Sequence, residues 1–275
     1  SRLALEWFNH LLGKVNETLN TQFDQYRISE ALMTVYTTFR DEFSSWLLEM
    51  IKPAYGQPID RKTYEETLNV FEQLLQLLHP FMPFITEEIW QHLPHEGETI
   101  MLAKWPEQEE GLINPEIDKQ MELTLEIIRA VRNLRSEMNV PLGKKAEVII
   151  CANNPEYTAY LKDAINYILG LASAENVTVE ENMLAKPTQA ATAVVHGIEI
   201  YLPLKGLIDL DKEIARLEKE LTKMEGEIKR IEGKLSNEGF VAKAPAEVIE
   251  KEKEKLVKYQ ASKEALLVRL AEYKA

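Results

Sequence analysis

The stretch Leu210–Leu235 reads LDKEIARLEKELTKMEGEIKRIEGKL and decides the architecture of its end of the chain. Its apolar residues recur at alternating spacings of four and three, which is the heptad pattern of a coiled coil. The seam consists of Leu210, Ile214, Leu217, Leu221, Met224, Ile228, Ile231 and Leu235. An uninterrupted seam of this kind predicts one long amphipathic helix that packs against a partner helix.

A second helix of matching length follows a short break that contains Gly239 and Pro245. Its apolar seam consists of Ile249, Leu256, Tyr259, Leu266, Leu270 and Tyr273. Polar Glu252 and Lys263 fill the remaining seam positions, which permits pairing within the chain or a register set by a separate partner helix. Residues 209–275 therefore predict an antiparallel coiled-coil hairpin. Each arm would be about 40 Å long at the helical rise, too thin to enclose a core, so we expect it to project into solvent.

Upstream, residues 111–208 combine helices with short strands. Helical spacing predicts one helix from about Ile117 to Met138 and another over Tyr157–Leu169. Short runs rich in β-branched residues predict strands, at residues 146–151, 176–179, 191–195 and 198–202. His196–Gly197 predicts a tight turn between the last two strands. The segment is expected to form a small α/β module.

Residues 1–110 predict a helical bundle, because apolar residues recur there at helical spacing. Breaks are expected at residues 52–58 and at His79–Pro80, where proline ends a helix. Trp7 lies at the edge of the first apolar stripe. Its indole could fill a seam between helices or stack on a nucleobase from an exposed position, and spacing alone favours the core.

Composition excludes several classes of protein. The 275 residues include 32 basic and 45 acidic side chains, a net charge of -13, which excludes a generally basic nucleic-acid coat. The net charges of residues 1–110, 111–208 and 209–275 are -10, -3 and 0. The single cysteine, Cys151, excludes an internal disulfide and a cysteine-based zinc site. No apolar run predicts a membrane span or signal peptide. A cytoplasmic protein is expected.

Recognisable catalytic chemistry is missing from the sequence. It contains no Gly-rich dinucleotide turn and no Ser/His/Asp or Cys/His arrangement in a recognisable context. Gly143–Lys145 lacks the glycines and the following Ser or Thr of a phosphate-binding loop. His79, His92 and His95 lack metal-ligand spacing. The residues alone therefore predict a binding module with neither a metal nor a cofactor.

One basic cluster stands out near the middle of the chain. Arg129, Arg132 and Arg135 follow one another at a spacing of three, and Lys144 and Lys145 lie just beyond the end of their helix. Such a cluster is either a solvated face balanced by nearby glutamates or a contact for a phosphate backbone. The pattern leaves both interpretations open.

Four segments carry a resemblance to a known family. Leu77–Trp90, which reads LLHPFMPFITEEIW, resembles the signature of the anticodon-binding bundle in large class I aminoacyl-tRNA synthetases. Asp41–Pro53, Val131–Pro141 and Asn237–Ile249 are similar to segments of valyl-tRNA synthetases, and the last resembles the C-terminal coiled-coil arm of that family. The resemblance covers essentially the whole chain.

The resemblance implies a mainly α fold and a function in tRNA recognition. An anticodon-binding bundle, expected to lack its upstream part, would occupy residues 1–110. A helix with a small α/β module would occupy residues 111–208, and a tRNA-binding coiled-coil arm residues 209–275. The implied parent enzyme uses ATP to attach valine to tRNA(Val). Its partners would be tRNA(Val) and the rest of the same polypeptide, with no DNA and no membrane. The ATP-site signatures His-Ile-Gly-His and Lys-Met-Ser-Lys-Ser and the editing domain are absent, so we expect no catalysis and no cofactor in this chain.

The resemblance also implies candidate tRNA contacts. Trp7 matches the family position whose aromatic ring stacks on an anticodon base, which reverses the preference for a core role. Phosphate contacts are implied for Arg129, Arg132, Arg135, Lys144 and Lys145, and on the hairpin for Lys223, Lys229, Arg230, Lys234 and Lys243.

Two alternatives to this function remain. The chain could be the equivalent region of an isoleucyl- or leucyl-tRNA synthetase, or a coiled-coil interaction module that binds no RNA and has Trp7 in its core. An acidic bundle is an awkward partner for a polyanion. We therefore expect weak tRNA binding, with steep salt dependence where basic patches make contact.

Overall fold

The computed structural model describes residues 2–106, 114–183, 185–237, 239 and 245–274. Contacts divide the chain into two compact units, Ser1–Glu126 and Ile127–Ala275. The first unit is helical. The second contains the end of a long helix, a four-stranded sheet and a helical hairpin, so the predicted mainly α fold with a small α/β part is confirmed.

The first unit consists of helices that end at proline and turn residues. Its elements are α1 (Arg2–Asp24), α2 (Ile28–Thr37), a π-helical segment (Thr38–Leu47), α3 (Leu48–Ile51), α4 (Arg61–Leu78), α5 (Pro83–Trp90), a 3-10 turn (Ile100–Leu102) and the start of α6 (Pro115–Glu137). The Asp60 side chain accepts a hydrogen bond from the backbone N–H of Thr63 (2.9 Å) and caps α4. Pro83 occupies the first turn of α5, where its missing N–H costs nothing.

Helix α1 supplies a continuous apolar face to the core of this unit. Leu5, Phe8, Leu12, Val15 and Leu19 are all buried. The ring of Phe8 lies 5.7 Å from that of Phe43, which in turn stacks on Phe71 at 5.7 Å. Aromatic contacts therefore join α1, the π-helical segment and α4.

A buried histidine fastens the start of α6 to α1. His10 is 1% exposed, and its Nδ1 accepts a hydrogen bond from the backbone N–H of Asn114 (3.2 Å). The proton of the neutral ring therefore lies on Nε2, which donates to the Asp118 carboxylate (2.6 Å). Lys14 contacts the same carboxylate.

The second unit contains a mixed sheet with strand order β2-β1-β4-β3. Its elements after α6 are β1 (Ala146–Cys151), α7 (Pro155–Asp163), α8 (Ile165–Leu171), β2 (Ala174–Glu180), β3 (Ala190–Val195) and β4 (Ile198–Pro203). Strands β1 and β2 are parallel and are connected by α7 and α8, while β4 pairs antiparallel with β1 and β3. His196 and Gly197 both have positive φ, as the type I′ turn of a two-residue hairpin requires.

The hairpin consists of α9 (Leu210–Leu235) and α10 (Ala246–Lys274). Among the described residues, three ion pairs join the two helices: Lys234–Glu252 (3.5 Å), Lys263–Glu225 (2.8 Å) and Lys274–Glu218 (2.7 Å). Residue numbers rise along one helix as they fall along the other, so the predicted antiparallel arrangement is confirmed. The polar residues of the second seam thus find partners within the hairpin.

The end of α10 packs on the end of α6. Arg269 Nη2 donates to the backbone carbonyl of Glu137 (3.0 Å), and the hydroxyl of buried Tyr273 contacts the Met138 sulfur. These contacts fix the base of the hairpin to the residues that lead into the sheet.

Candidate nucleic-acid interface

Trp7 lies in the core of the first unit. Its side chain is 6% exposed, and its ring makes an edge-to-face contact with Phe8 at 5.8 Å between centroids. This is the environment of a packing residue. Stacking of Trp7 on an anticodon base remains a prediction that these contacts do not test.

Arg135 is turned into the protein. It is 7% exposed, and its guanidinium donates to three backbone carbonyls, those of Lys144 (2.7 Å), Ser173 (3.3 Å) and Pro141 (3.5 Å). Burial lowers the pKa of this guanidinium. Arg135 therefore ties the loop after α6 to the start of β2, and its donors are directed at the chain itself.

Arg132 and Arg129 lie about one and two helical turns before it, respectively, and are exposed. Arg132 Nε donates to the carbonyl of Leu171 at the end of α8 (2.8 Å). Both residues lie at the surface of α6, where an arginine can contact a phosphate. Of the three arginines, Arg129 and Arg132 are therefore exposed, whereas Arg135 is buried.

Lys144 and Lys145 follow the loop that Arg135 organises, and both are exposed. Lys144 Nζ donates to the carbonyls of Gly206 and Leu207, each at 3.2 Å. Lys145 lines an open depression of about 300 Å³ together with Glu147, Glu175 and Lys205. Lys145 therefore shares this depression with two glutamates of the sheet.

The hairpin carries its candidate residues on the surface. Lys223, Lys229, Arg230 and Lys234 are all exposed. Arg230 pairs with Glu227 of the same helix (2.8 Å), and Lys234 reaches Glu252 of α10. Lys243 lies outside the described residues.

Three further basic residues of α9 are also exposed, namely Lys212, Arg216 and Lys219. Arg216 donates to Glu213 (2.6 Å), which lowers the pKa of that carboxyl. A groove of about 300 Å³ at the base of the hairpin is lined by Lys144, Lys212 and Arg216 among other residues. The heptad register of the helix is the sequence signal that groups these residues.

The described residues contain neither a metal-binding cluster nor a helix that could span a membrane. Within that part of the chain, no three His, Cys, Asp or Glu side chains are grouped so as to hold a metal ion. No helix in the described ranges is both long and apolar enough to cross a membrane.

Comparison with known families gives two matches. Residues 6–150 match the anticodon-binding domain of tRNA ligases, and residues 209–274 match the valyl-tRNA synthetase tRNA-binding arm. The first match runs from within α1 through α6 and into β1, and the second coincides with the hairpin.

Comparison with individual proteins gives valine–tRNA ligases. That of Bacillus licheniformis is 47% identical over 275 residues, which cover 99% of this chain and 31% of the relative. That of Carboxydothermus hydrogenoformans is 46% identical, with 98% and 30% covered, and that of Oceanobacillus iheyensis is 41% identical, with 96% and 30% covered. The chain thus spans somewhat under a third of the length of these relatives.

Proposed function

The chain belongs to the family of tRNA ligase anticodon-binding domains, and from this premise we propose that it is the tRNA-recognition part of a valine–tRNA ligase. The proposal rests on one observation: a single chain contains both an anticodon-binding domain and a valyl-tRNA synthetase tRNA-binding arm. Each of these two descriptions names tRNA or its anticodon as the ligand. The chain is therefore proposed to hold one tRNA molecule through two separate modules.

The activity of the whole protein is part of the same proposal. Relatives named valine–tRNA ligase are about three times as long as this chain. In the full-length protein, the remaining polypeptide would use ATP to attach valine to tRNA(Val) in the cytoplasm. This chain would bind and orient the tRNA. Such binding positions a substrate at a reacting centre that lies elsewhere in the protein.

We assign the roles by segment. Residues 1–110 would bind the anticodon, residues 111–208 would support the stem, and residues 209–275 would reach the outer corner of the tRNA. Exposed Arg129, Arg132 and Lys145 are proposed to contact phosphates, whereas Arg135 and Lys144 position the loop between α6 and β1 through their carbonyl contacts. Phosphate contacts of this kind orient a nucleic acid without reading its sequence.

A binding titration tests the proposal directly. The 275-residue chain is titrated with a tRNA(Val) transcript at several salt concentrations, in competition with transcripts that carry isoleucine or leucine anticodons. We expect binding that weakens steeply with salt and a preference for the valine anticodon. Preference for another anticodon would favour the isoleucine or leucine enzyme, and no binding at low salt would contradict tRNA recognition.

A second assay tests whether this chain has catalytic activity of its own. The chain is assayed for valine-dependent exchange of pyrophosphate into ATP, and we expect no exchange, because the ATP-site signatures are absent from the sequence. Exchange above the level of a heat-treated sample would show that the chain contains a catalytic site and would contradict its assignment as a recognition part.

The hairpin's polar seam residues bear on the coiled-coil interaction alternative. Glu252 is 9% exposed and is reached by Lys234 and Lys255, while Lys263 pairs with Glu225. A polar seam residue that sets the register of a separate helix is expected to have no partner within its own hairpin. Here both are satisfied within the hairpin, which supports a self-contained arm.

A further inference from the structure

The heptad positions of α9 separate positive from negative charge. The whole of Leu210–Leu235 is described, with its seam at positions a and d. All seven acidic residues occupy the flanking positions e and g: Asp211, Glu213, Glu218, Glu220, Glu225, Glu227 and Glu232. The outward positions b, c and f carry six basic residues and no acidic one: Lys212, Arg216, Lys219, Lys223, Lys229 and Arg230. We call these six residues the outer row of α9.

The contacts of the structure leave half of this row available, while Lys212, Arg216 and Arg230 pair with nearby acidic residues. Part of the acidic flank is neutralised from α10, since Lys274 pairs with Glu218 and Lys263 with Glu225. All six members of the outer row are exposed. Within the described residues, Lys219 and Lys223 form no ion pair, so their charges are not committed to the fold.

The outward positions of α10 are mainly acidic. In the described part of the helix they carry four exposed glutamates against two exposed lysines, together with Val257 (66% exposed) and Val268 (59% exposed). The charged residues are Glu247, Glu250, Glu254 and Glu264, and Lys251 and Lys258. The hairpin therefore has one basic and one acidic outer face. A polyanion is attracted to the first and repelled by the second.

Two glycines lie on the basic face at position f, Gly226 and Gly233. Glycine in the interior of an exposed helix lowers stability relative to alanine, and neither position has a folding reason for it. A Cβ added at either residue would meet no heavy atom within 4 Å, and neither has a positive φ. Because glycine has no side chain, the backbone is uncovered at these two positions and a ligand can approach it closely.

From these observations we propose that the outer row of α9 is the surface on which the hairpin binds an RNA phosphate backbone, with Gly226 and Gly233 as the points of closest approach. The row extends from Lys212 to Arg230, about 27 Å along the helix axis, which is enough to follow several consecutive phosphates. This inference rests on the proposed tRNA-binding function and adds to it the face that is used. The face of α10 would point away from the RNA.

A pair of matched double variants of the 275-residue chain tests the face. Lys219→Ala/Lys223→Ala removes two charges from the outer row, and Lys253→Ala/Lys258→Ala removes two from α10. All four lysines are exposed and, in the described ranges, make no ion pair. We expect the α9 variant to bind bulk tRNA at least about tenfold more weakly at 0.1 M salt and to lower the salt slope by about two, one for each phosphate contact. The α10 variant should bind like the parent.

The glycines are tested by insertion of a side chain. Gly226→Gln places bulk on the basic face, and Ala261→Gln places the same bulk at the equivalent f position of α10, where Ala261 is exposed. Since Gln favours helix more than Gly does, Gly226→Gln should raise the melting temperature and yet weaken tRNA binding severalfold. Ala261→Gln should leave binding unchanged.

The outcomes distinguish the proposed binding face from the proposed tRNA-binding function. Equal losses in the α9 and α10 lysine variants, or no loss in either, would overturn the face while tRNA binding by the parent chain remained. Unchanged binding by Gly226→Gln would overturn the close approach. Failure of the parent chain itself to bind tRNA at low salt would instead contradict the proposed function.

Discussion

Among the candidate residues, Arg135 is the one at which an experiment can best distinguish a structural role from RNA binding. Spacing grouped it with Arg129 and Arg132, and the family resemblance implied a phosphate contact. The structure, however, buries its guanidinium against backbone carbonyls. We consider Arg135→Met, which keeps most of the apolar stem and removes every donor. The variant therefore deletes the hydrogen bonds with little change in packing.

The expected magnitude follows from the geometry. The contact with the Lys144 carbonyl, at 2.7 Å, has the length of a strong charge-assisted bond, and the contacts with Ser173 and Pro141, at 3.3 and 3.5 Å, are weaker. A hydrogen bond from a charged group contributes about 1.5–3 kcal/mol, and an unsatisfied carbonyl adds a desolvation cost. We therefore expect Arg135→Met to lower the free energy of unfolding by about 2–4 kcal/mol.

The distribution of tryptophan makes the assay specific. All four tryptophans lie in the first unit, at Trp7, Trp46, Trp90 and Trp105. Their fluorescence therefore reports that unit, whereas circular dichroism at 222 nm reports both. The dichroism transition of Arg135→Met should move to lower urea by about 1–2 M. Exposed Arg129→Met, the control, should change stability by at most about 1 kcal/mol, the usual upper value for an exposed ionic contact.

The opposite result would refute this reasoning. If Arg135→Met left the dichroism transition in place and lowered the salt slope for tRNA binding by about one, its guanidinium would contact a phosphate. The carbonyl contacts would then be incidental. A loss of stability with an unchanged salt slope supports the structural role.

Three further predictions use the same denaturation assays. Trp7→Ala should destabilise the first unit by about 3–5 kcal/mol, because it empties a buried site; full stability with reduced tRNA affinity would instead favour base stacking. Asp118→Ala should cost about 1–3 kcal/mol, because it leaves His10 Nε2–H without its acceptor, and an unchanged fluorescence midpoint would contradict this. Hydrogen bonding from Lys255 and the charge of Lys234 hold the pKa of Glu252 below its ordinary 4.5, so its stabilising effect is present above pH 4.5 and disappears as the pH falls through the lower folded value. Glu252→Gln should therefore be less helical than the parent near neutral pH and equal to it in acid by circular dichroism, and a difference independent of pH would exclude this role.

Most secondary structure was predictable because it depends on local periodicity. The heptad seam of α9 and the β-branched runs of the sheet each specify which side of an element is apolar. Two short helices, α7 and α8, replace the single one predicted over Tyr157–Leu169. Their junction at Ala164 has φ of -92° and ψ of 0°, a local departure from helical geometry that apolar spacing does not encode.

The environments of single side chains were less predictable, because they depend on residues far away in sequence. The helical wheel placed Trp7 at the edge of its stripe, which measures its angle within α1 but not which neighbouring side chains cover it. In the structure it is 6% exposed. Arg135 is a similar case, since its partner Ser173 lies 38 residues away. Side-chain spacing along a helix cannot reveal a carbonyl that another element brings alongside.

Net charge summed over a segment also hides what a phosphate would encounter. Residues 209–275 carry 15 basic and 15 acidic side chains, so the sum suggests no attraction to RNA. The outer faces of two packed helices are, however, about 20 Å apart, from a helix diameter near 10 Å and an interaxial distance of 8–10 Å. At physiological salt, charges are screened over about 8 Å. A phosphate at the outer row of α9 would therefore experience the row itself and its flanks far more than Glu250, Glu254 or Glu264 on the other side. A hairpin with no net charge can bind a polyanion strongly, provided that the polyanion approaches from one side.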